Sequence, residues 1–459
     1  MKNIIGPSLL LALGLLPPIS VRAENWPAWR GPEGTGVSTE RELPLKWSET
    51  ENVRTHVPLP DRGNSTPVIW KDRIFVTQAV EKEHRRTVMC FARADGKLLW
   101  QSGVTYEEHE PTNGQNPYCA ASPVTDGERV IAYFGSAGVF CYDFDGKELW
   151  RRDLDKVDSW HGSGASPVIY QDLCIVNAGP GTHASLAALN KRTGEVVWKI
   201  ATATAGFGGP GGFGRGFFGP RGGPRTHADE AAAFDKAAMA GDMSAAGGFV
   251  GSWSTPLVTR VGDHDELIVS GSAKLAGYDP NTGKELWTCK GMTEQVFSSP
   301  TAGEGVLVAA GKFFSGGTQV MAVKIGGSGD VTETHRLWTQ KLPKECVGSP
   351  VITGGRVYLA TQFGSLVCLD LSSGKKLAEQ RMAGAGSTGG SWSSIVLAAG
   401  KLFIVNQSGE VFVVDPSPEL KVLETNAVGD ETTCASLAIS DGQIFLRTYK
   451  SLWCFAKAK

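Results

Sequence analysis

Residues 122–150 read SPVTDGERVIAYFGSAGVFCYDFDGKELW, three short strands and the opening of a fourth. SPVTDG begins a strand and turns at Asp126-Gly127, where glycine tolerates the positive φ that a tight turn demands. RVIAYFGS is apolar, β-branched and aromatic, and ends at Gly135 and Gly138. VFCYDF forms the third strand, and Asp145-Gly146-Lys147 turns the chain into ELW. The unit returns at Ser166–Trp198, Thr255–Trp287 and Ser349–Ala378. Four strands in about forty-five residues, repeated along one chain, is the size of a propeller blade.

Aligning on the Ser-Pro opening gives landmarks at Pro67, Pro123, Pro167, Pro256, Pro300 and Pro350, with degenerate ones at Ile395 and Leu437. Proline suits a strand start, where its missing N–H costs little. The expectation is an all-β, eight-bladed propeller of four-stranded antiparallel blades. The chain ends at WCFAKAK, one strand short in the last blade. Val53–Leu59 is spaced to supply that strand, which would close the ring and remove a sheet edge prone to aggregation.

The ends of the repeats carry tryptophan at Trp100, Trp150, Trp198 and Trp287, with Trp338 in a looser form. A large ring at one place in successive blades is expected to dock between neighbouring sheets. Ala378 and Thr55 depart from the pattern, so looser packing is expected at their junctions.

Composition narrows the class. The 459 residues carry a formal net charge of −2, so nothing asks for nucleic acid or an anionic surface. The 58 glycines and 13 tryptophans fit turn-dense β structure with large aromatic anchors. At the N-terminus, Lys2, the apolar run Ile4–Leu16 and Val21-Arg22-Ala23 read as a secretory leader over residues 1–23, too short to span a bilayer. Cleavage after Ala23 would leave no membrane span and place the chain in the periplasm or outside the cell. Residues 24–46 hold NWPAWRGPEGTG, turn-rich and without strand period, and are expected to lie as an arm on the propeller of 47–459, with Trp26 and Trp29 packed against it. Residues 201–249 interrupt the period with a Gly/Phe/Arg-rich run and an alanine-rich stretch, and are expected to be a flexible surface insertion.

Nine cysteines cannot all pair. Cys90, Cys141, Cys368 and Cys454 share one third-strand register in four blades, where facing sheets are about 10 Å apart. A disulfide needs Cα atoms within about 7 Å. These cysteines read as small buried hydrophobes.

YDPNTGKELW and AALNKRTGEVVW resemble the tryptophan-docking motif of the PQQ-like repeat family of eight-bladed propellers, and the resemblance extends over the chain from Leu43. It implies one of two functions, since fold does not decide. One is a quinoprotein dehydrogenase holding PQQ and calcium on the propeller axis, beneath a ring-like disulfide between adjacent cysteines. This sequence has no Cys-Cys pair and no C-x-x-C-H haem site. The other is a non-catalytic propeller similar to the subunit of the outer-membrane β-barrel assembly machinery, which binds a partner protein. The preferred expectation is an exported, monomeric scaffold for a protein or envelope component, without cofactor, metal or catalytic residues. The alternatives are a PQQ-dependent dehydrogenase with an atypical site and a carbohydrate-binding propeller.

In a propeller the first strands line the central channel. Three positions before each landmark stand Asn64, Ala120, Gly164, Trp253, Phe297, Val347, Trp392 and Cys434. The framework repeats while this position varies, so the ring is the expected binding site. The candidate ligand-binding residues are Asn64, Trp253, Phe297 and Trp392 from it, with Arg62, Tyr118, His161 and Glu345 nearby; Asn116, Trp160 and Glu431 stand in the same neighbourhood. Trp253 and Trp392 share a register suited to stacking a flat ligand or a sugar, or to plugging the channel. His109 among Glu107, Glu108 and Glu110 offers cation ligands, although a solvated acidic loop is the simpler reading.

Overall fold

The computed structural model describes residues 24–458 apart from Trp160, Thr182, 203–250 and Ser387. The leader expected at 1–23 and nearly all of the insertion expected at 201–249 lie outside the described residues. Eight antiparallel sheets follow one another around a ring, each with a core of four strands. Blade 1 comprises Val68–Trp70, Arg73–Val80, Arg85–Ala92 and Leu98–Thr105. Blades 2 to 7 occupy 124–152, 168–201, 257–290, 301–342, 351–381 and 396–426. Blade 8 holds Ala438–Ser440, Gln443–Arg447 and Ser451–Ala456, and its outer strand is Val53–Pro58. That strand pairs antiparallel with the last strand of the chain, His56 opposite Trp453 and Val57 opposite Leu452. The ring is therefore closed by an N-terminal strand. Among the described residues no helix is long and apolar enough to cross a membrane.

The apolar core is divided among the junctions. Separate clusters fill the spaces between blades 1 and 2, 2 and 3, 3 and 4, 4 and 5, 5 and 6, and 6 and 7. A larger one spans blades 7, 8 and 1 and takes in Trp26, Leu43 and Trp47 of the N-terminal segment. Residues 24–47 therefore form part of the core where the ring closes.

Four tryptophans make one repeated joint. The indole N–H groups of Trp100, Trp150, Trp198 and Trp338 donate to the carbonyls of Phe144, Lys191, Pro280 and Leu371 in the next blade, at 2.8–3.0 Å. Each ring lies on the turn glycine that follows. Gly194 has φ +73°, and a Cβ there would stand 2.5 Å from the Trp150 ring, so the position needs glycine for both conformation and space. Trp287 departs from this joint. It is fully buried, and its N–H goes to Glu266 of its own blade at 2.7 Å. Blade 5 has no matching turn here; its Gly329–Asp330 instead adds a parallel strand along Trp287–Thr288.

Two junctions without the tryptophan, at Ala378 and at Thr55, are not left open. Opposite Ala378 in the register lie Cys368 and then Tyr358. The Tyr358 hydroxyl donates to the Pro416 carbonyl of blade 7 at 2.6 Å, the position that an indole reaches elsewhere. At the closing junction, Thr55 and Val57 meet the turn glycine Gly96. Arg447 of blade 8, fully buried, reaches into blade 1, donating to the Ser65 hydroxyl, the Thr77 carbonyl and the Gln78 side chain at 2.6–2.7 Å. Burial without a carboxylate partner pushes the guanidinium down to about 10.

Cys90, Cys141, Cys368 and Cys454 do share one register, opposite Trp100, Trp150, Ala378 and Thr55. All nine cysteines are unpaired, and burial pushes the thiols of Cys90, Cys141 and Cys454 up to about 12.

Candidate functional site in the central channel

The residue just before each landmark is serine or threonine, and in the structure these eight form a closed belt. The backbone N–H of Thr66 donates to the Ser122 hydroxyl, Ser122 to Ser166, Ser166 to Thr255 and Thr255 to Ser299. Ser299 donates to Ser349, Ser349 to Ser394, Ser394 to Ser436, and Ser436 back to Thr66. The distances run from 2.8 to 3.1 Å. An innermost strand has a free edge toward the axis, and a buried N–H left there costs free energy. A hydroxyl from the next blade satisfies it and fixes the spacing of the blades.

Two residues upstream of the belt, all eight ring positions line one cavity of about 250 Å³ on the axis. Trp253 and Phe297 stack at 4.6 Å with 25° between planes. The His161 ring stands edge-on to both, at 5.5 and 5.9 Å. The Trp253 indole is anchored by donation to the Gly162 carbonyl at 2.8 Å. Trp392 contributes a second, half-buried indole to the lining.

The polar wall comes from loops and one strand end next to the ring. Lys312 pairs with Glu345 at 3.0 Å, and the same Glu345 oxygen accepts from the Gln362 amide. Asn116 donates to the His161 carbonyl at 2.6 Å, and the Asn113 amide meets His161 Nδ1 at 2.5 Å. The His161 imidazole is shifted down, first by burial and then by the Lys312 charge. Asn64 donates to the Gln115 carbonyl at 2.6 Å, while its Oδ1 is buried without a protein partner.

The N-terminal arm supplies the floor. Trp26 pairs with Ile69 of blade 1, Gly34 lies against Leu257 of blade 4, and Val37 pairs with Leu397 of blade 7, so the arm loops across the ring. Between them Arg30, fully buried, donates to the Pro350 carbonyl of blade 6. Trp29 lines the axial cavity and also a second one on the far side, bordered by Pro167, Pro256 and Trp70. A larger cleft of about 540 Å³ lies between blades 3 and 4. It is bordered by Thr202 and Gly251, where the chain leaves the described residues.

Of the residues singled out in the sequence, Asn64, His161, Trp253, Phe297, Glu345 and Trp392 line the axial cavity, as does Asn116. Arg62 and Tyr118 do not. Arg62 is held aside by Glu81 at 3.0 Å. Tyr118 donates to the Glu110 carbonyl at 2.7 Å and is covered by the Arg86 guanidinium, 3.7 Å from its ring centre. Glu431 is likewise occupied elsewhere, by Thr448 and Trp453. Trp160 lies outside the described residues. The acidic loop disperses its charges: Glu107 faces His84, Glu108 pairs with Lys156, and Glu110 is buried on the Ser136 N–H. Among the described residues no cluster of three or more ligating side chains could hold a metal ion. Sequence reading missed Lys312, Gln362 and Trp29. Lys312 carried a signal, a lone charge closing the apolar run VLVAAGK.

The profile of the family described as outer membrane protein assembly factor BamB matches residues 84–207 and 242–459. No curated protein matches the chain. Among solved structures, BamB from Moraxella catarrhalis is 14% identical with a TM-score of 0.57, covering 87% of this chain and 96% of that one. A quinohemoprotein alcohol dehydrogenase from Comamonas testosteroni is 13% identical with a TM-score of 0.59, covering 95% and 81%. The computationally designed Ika8 protein is 11% identical with a TM-score of 0.53, covering 88% and 99%. At these identities the likeness is one of fold.

Proposed function

This chain belongs to the outer membrane protein assembly factor BamB family, and from that premise we propose that it is an exported binding propeller. It holds a protein or envelope component in the periplasm or outside the cell, without catalysing a reaction. The observation that carries this reading is the donor set of the cavity. Among the described residues its one carboxylate, Glu345, is already satisfied by Lys312 and Gln362, and the Nδ1 of its one imidazole, His161, is engaged by the Asn113 amide. General acid–base work needs a group poised to exchange a proton, and glycoside chemistry needs two carboxyls.

The same donor set speaks against PQQ with calcium. Calcium takes roughly six to eight oxygen ligands, and the quinone is a planar tricarboxylate needing several cations. One lysine, itself paired, answers neither requirement. Equilibrium dialysis of the purified chain against PQQ and calcium tests the point. The expected outcome is no stoichiometric quinone absorbance and no dye-linked oxidation of alcohols or sugars. One bound equivalent with turnover would make this chain a dehydrogenase.

A second reading is favoured by the aromatic wall and the unpartnered Asn64 oxygen. An uncharged sugar ring has an apolar face to lay on Phe297 or Trp392 and hydroxyls to donate to Asn64. Saturation-transfer NMR with glucose and N-acetylglucosamine, on the intact chain, on Trp392→Ala and on Phe297→Ala, measures it. Transfer that survives both Trp392→Ala and Phe297→Ala unchanged removes the cavity from consideration.

A further inference from the structure

Glu24 is the first described residue, and every polar group it has is engaged. Its carboxylate accepts from the Ser38 hydroxyl at 2.5 Å, and from the Thr39 N–H and hydroxyl at 3.2 and 3.1 Å. Its carbonyl accepts from the Ser440 hydroxyl of blade 8 at 2.6 Å. Its backbone nitrogen lies 3.3 Å from Oε1 of Glu40. Glu40 in turn accepts from the N–H groups of Asp441 and Gly442, at 2.6 and 3.1 Å, in the same turn of blade 8. A carboxylate thus joins the start of the arm to the closing blade.

We propose that Glu40 is the binding site for the α-ammonium created by cleavage between Ala23 and Glu24, so that removal of residues 1–23 completes the docking of the arm. Before the cut, the nitrogen is a peptide amide with one proton and no charge. Hydrolysis adds water across the Ala23–Glu24 bond and leaves an ammonium with three donors at the same place. A hydrogen bond between ions is roughly twice as strong as one between neutral groups. The charged groups around it are Glu40, the Glu24 carboxylate, Asp441, and Arg93, which stands 3.9 Å from Asp441 and donates to the Ser440 carbonyl. Arg54 stands beyond Arg93, and three carboxylates against two guanidiniums favour a cation. Trp29, the cavity floor, lies five residues along the same arm, so processing also secures the floor of the channel.

That the cell makes this cut rests on the reading of an exported protein; the pairing itself does not. The test uses the full chain beginning at Glu24, released scarlessly from a fusion, the same chain acetylated at its amino group, and Glu40→Gln in both forms. The free chain should melt above the acetylated one, and Glu40→Gln should erase that difference whatever it does to each Tm alone. By ¹⁵N NMR the free amine should titrate above the ordinary range of about 7.7–8.0. Its contribution to stability is then fully present below that range and is lost as pH rises through the raised value. Equal melting of the free and acetylated chains, or an ordinary titration, overturns the proposal. A mature terminus at any residue other than Glu24 also overturns it and leaves the binding propeller standing. An uncut, unexported chain overturns both.

Discussion

The joints between blades 2 and 3 and between blades 8 and 1 solve one problem by different means. At the first, Trp150 covers the turn glycine Gly194 and donates to the Lys191 carbonyl, so one side chain supplies both the apolar area and the polar contact. At the second those tasks are divided. Thr55 and Val57 cover Gly96, while Arg447 carries the hydrogen bonds from the second strand. The outer strand there comes from the other end of the chain, and Trp26, Leu43 and Trp47 arrive with it to complete the core. A joint inside the repeat rests on one residue, and the closing joint on a segment.

The sharpest way to break that comparison is to remove the segment. Deleting residues 24–60 takes away the outer strand of blade 8 with Trp26, Trp47 and Leu59, each large side chain worth roughly 1.5–3 kcal/mol of burial. The expected result is insoluble protein or no cooperative melt. Deleting 24–36 should cost less but still lower the Tm clearly, since Trp26 and Arg30 are fully buried. A long truncation that melts with the intact chain would show that the ring does not depend on this closure.

Next in size is Trp150→Ala, which should cost about 3–5 kcal/mol by leaving a cavity between blades 2 and 3. Denaturant midpoints measure it, and a loss under 1 kcal/mol would mean the joint is held elsewhere. Tyr358→Phe isolates the polar half of a joint. It should cost only about 1 kcal/mol, plus the penalty of the uncovered Pro416 carbonyl if water cannot reach it. No change would mean that the hydroxyl does not stand in for the missing indole.

The smallest effect is one of pH. His161 is shifted down by burial and by Lys312, so the unfolded chain takes up its proton first as pH falls. Its stability contribution is present above the ordinary histidine value of about 6.5 and is lost as pH falls through the lower folded value. Melting curves between pH 7 and 5 should therefore slope less steeply in His161→Gln. Parallel slopes would place the titration on another group.

Much of this was legible in sequence because strand periodicity and turn residues are local properties. The openings at Pro67 to Leu437 set the blades, and the missing strand of the last blade pointed to Val53–Leu59, which pairs with Ser451–Phe455. The shared register of the buried cysteines followed from the same alignment. The varying position three residues before each opening was legible too, and all eight of its members face one cavity.

Tertiary structure alone decided what depends on how far one blade is turned from the next. Trp287 carries the docking motif, yet its indole binds Glu266, because blade 5 offers no turn for it to reach. Ala378 lacks the tryptophan, yet its joint has a donor, because Tyr358 lies two strands over in the same register. Arg62 and Tyr118 sit close in sequence to channel residues but are drawn aside by Glu81 and Arg86. Trp29 stands in the arm, ahead of the first repeat, and becomes the floor of the channel because the arm touches blades 1, 4, 6 and 7. The serine and threonine hydroxyls repeat visibly before each landmark, but a belt exists only when eight neighbours close on themselves, from Ser436 back to Thr66. Sequence specifies which groups each blade presents, and the curvature of the closed ring determines which of them meet.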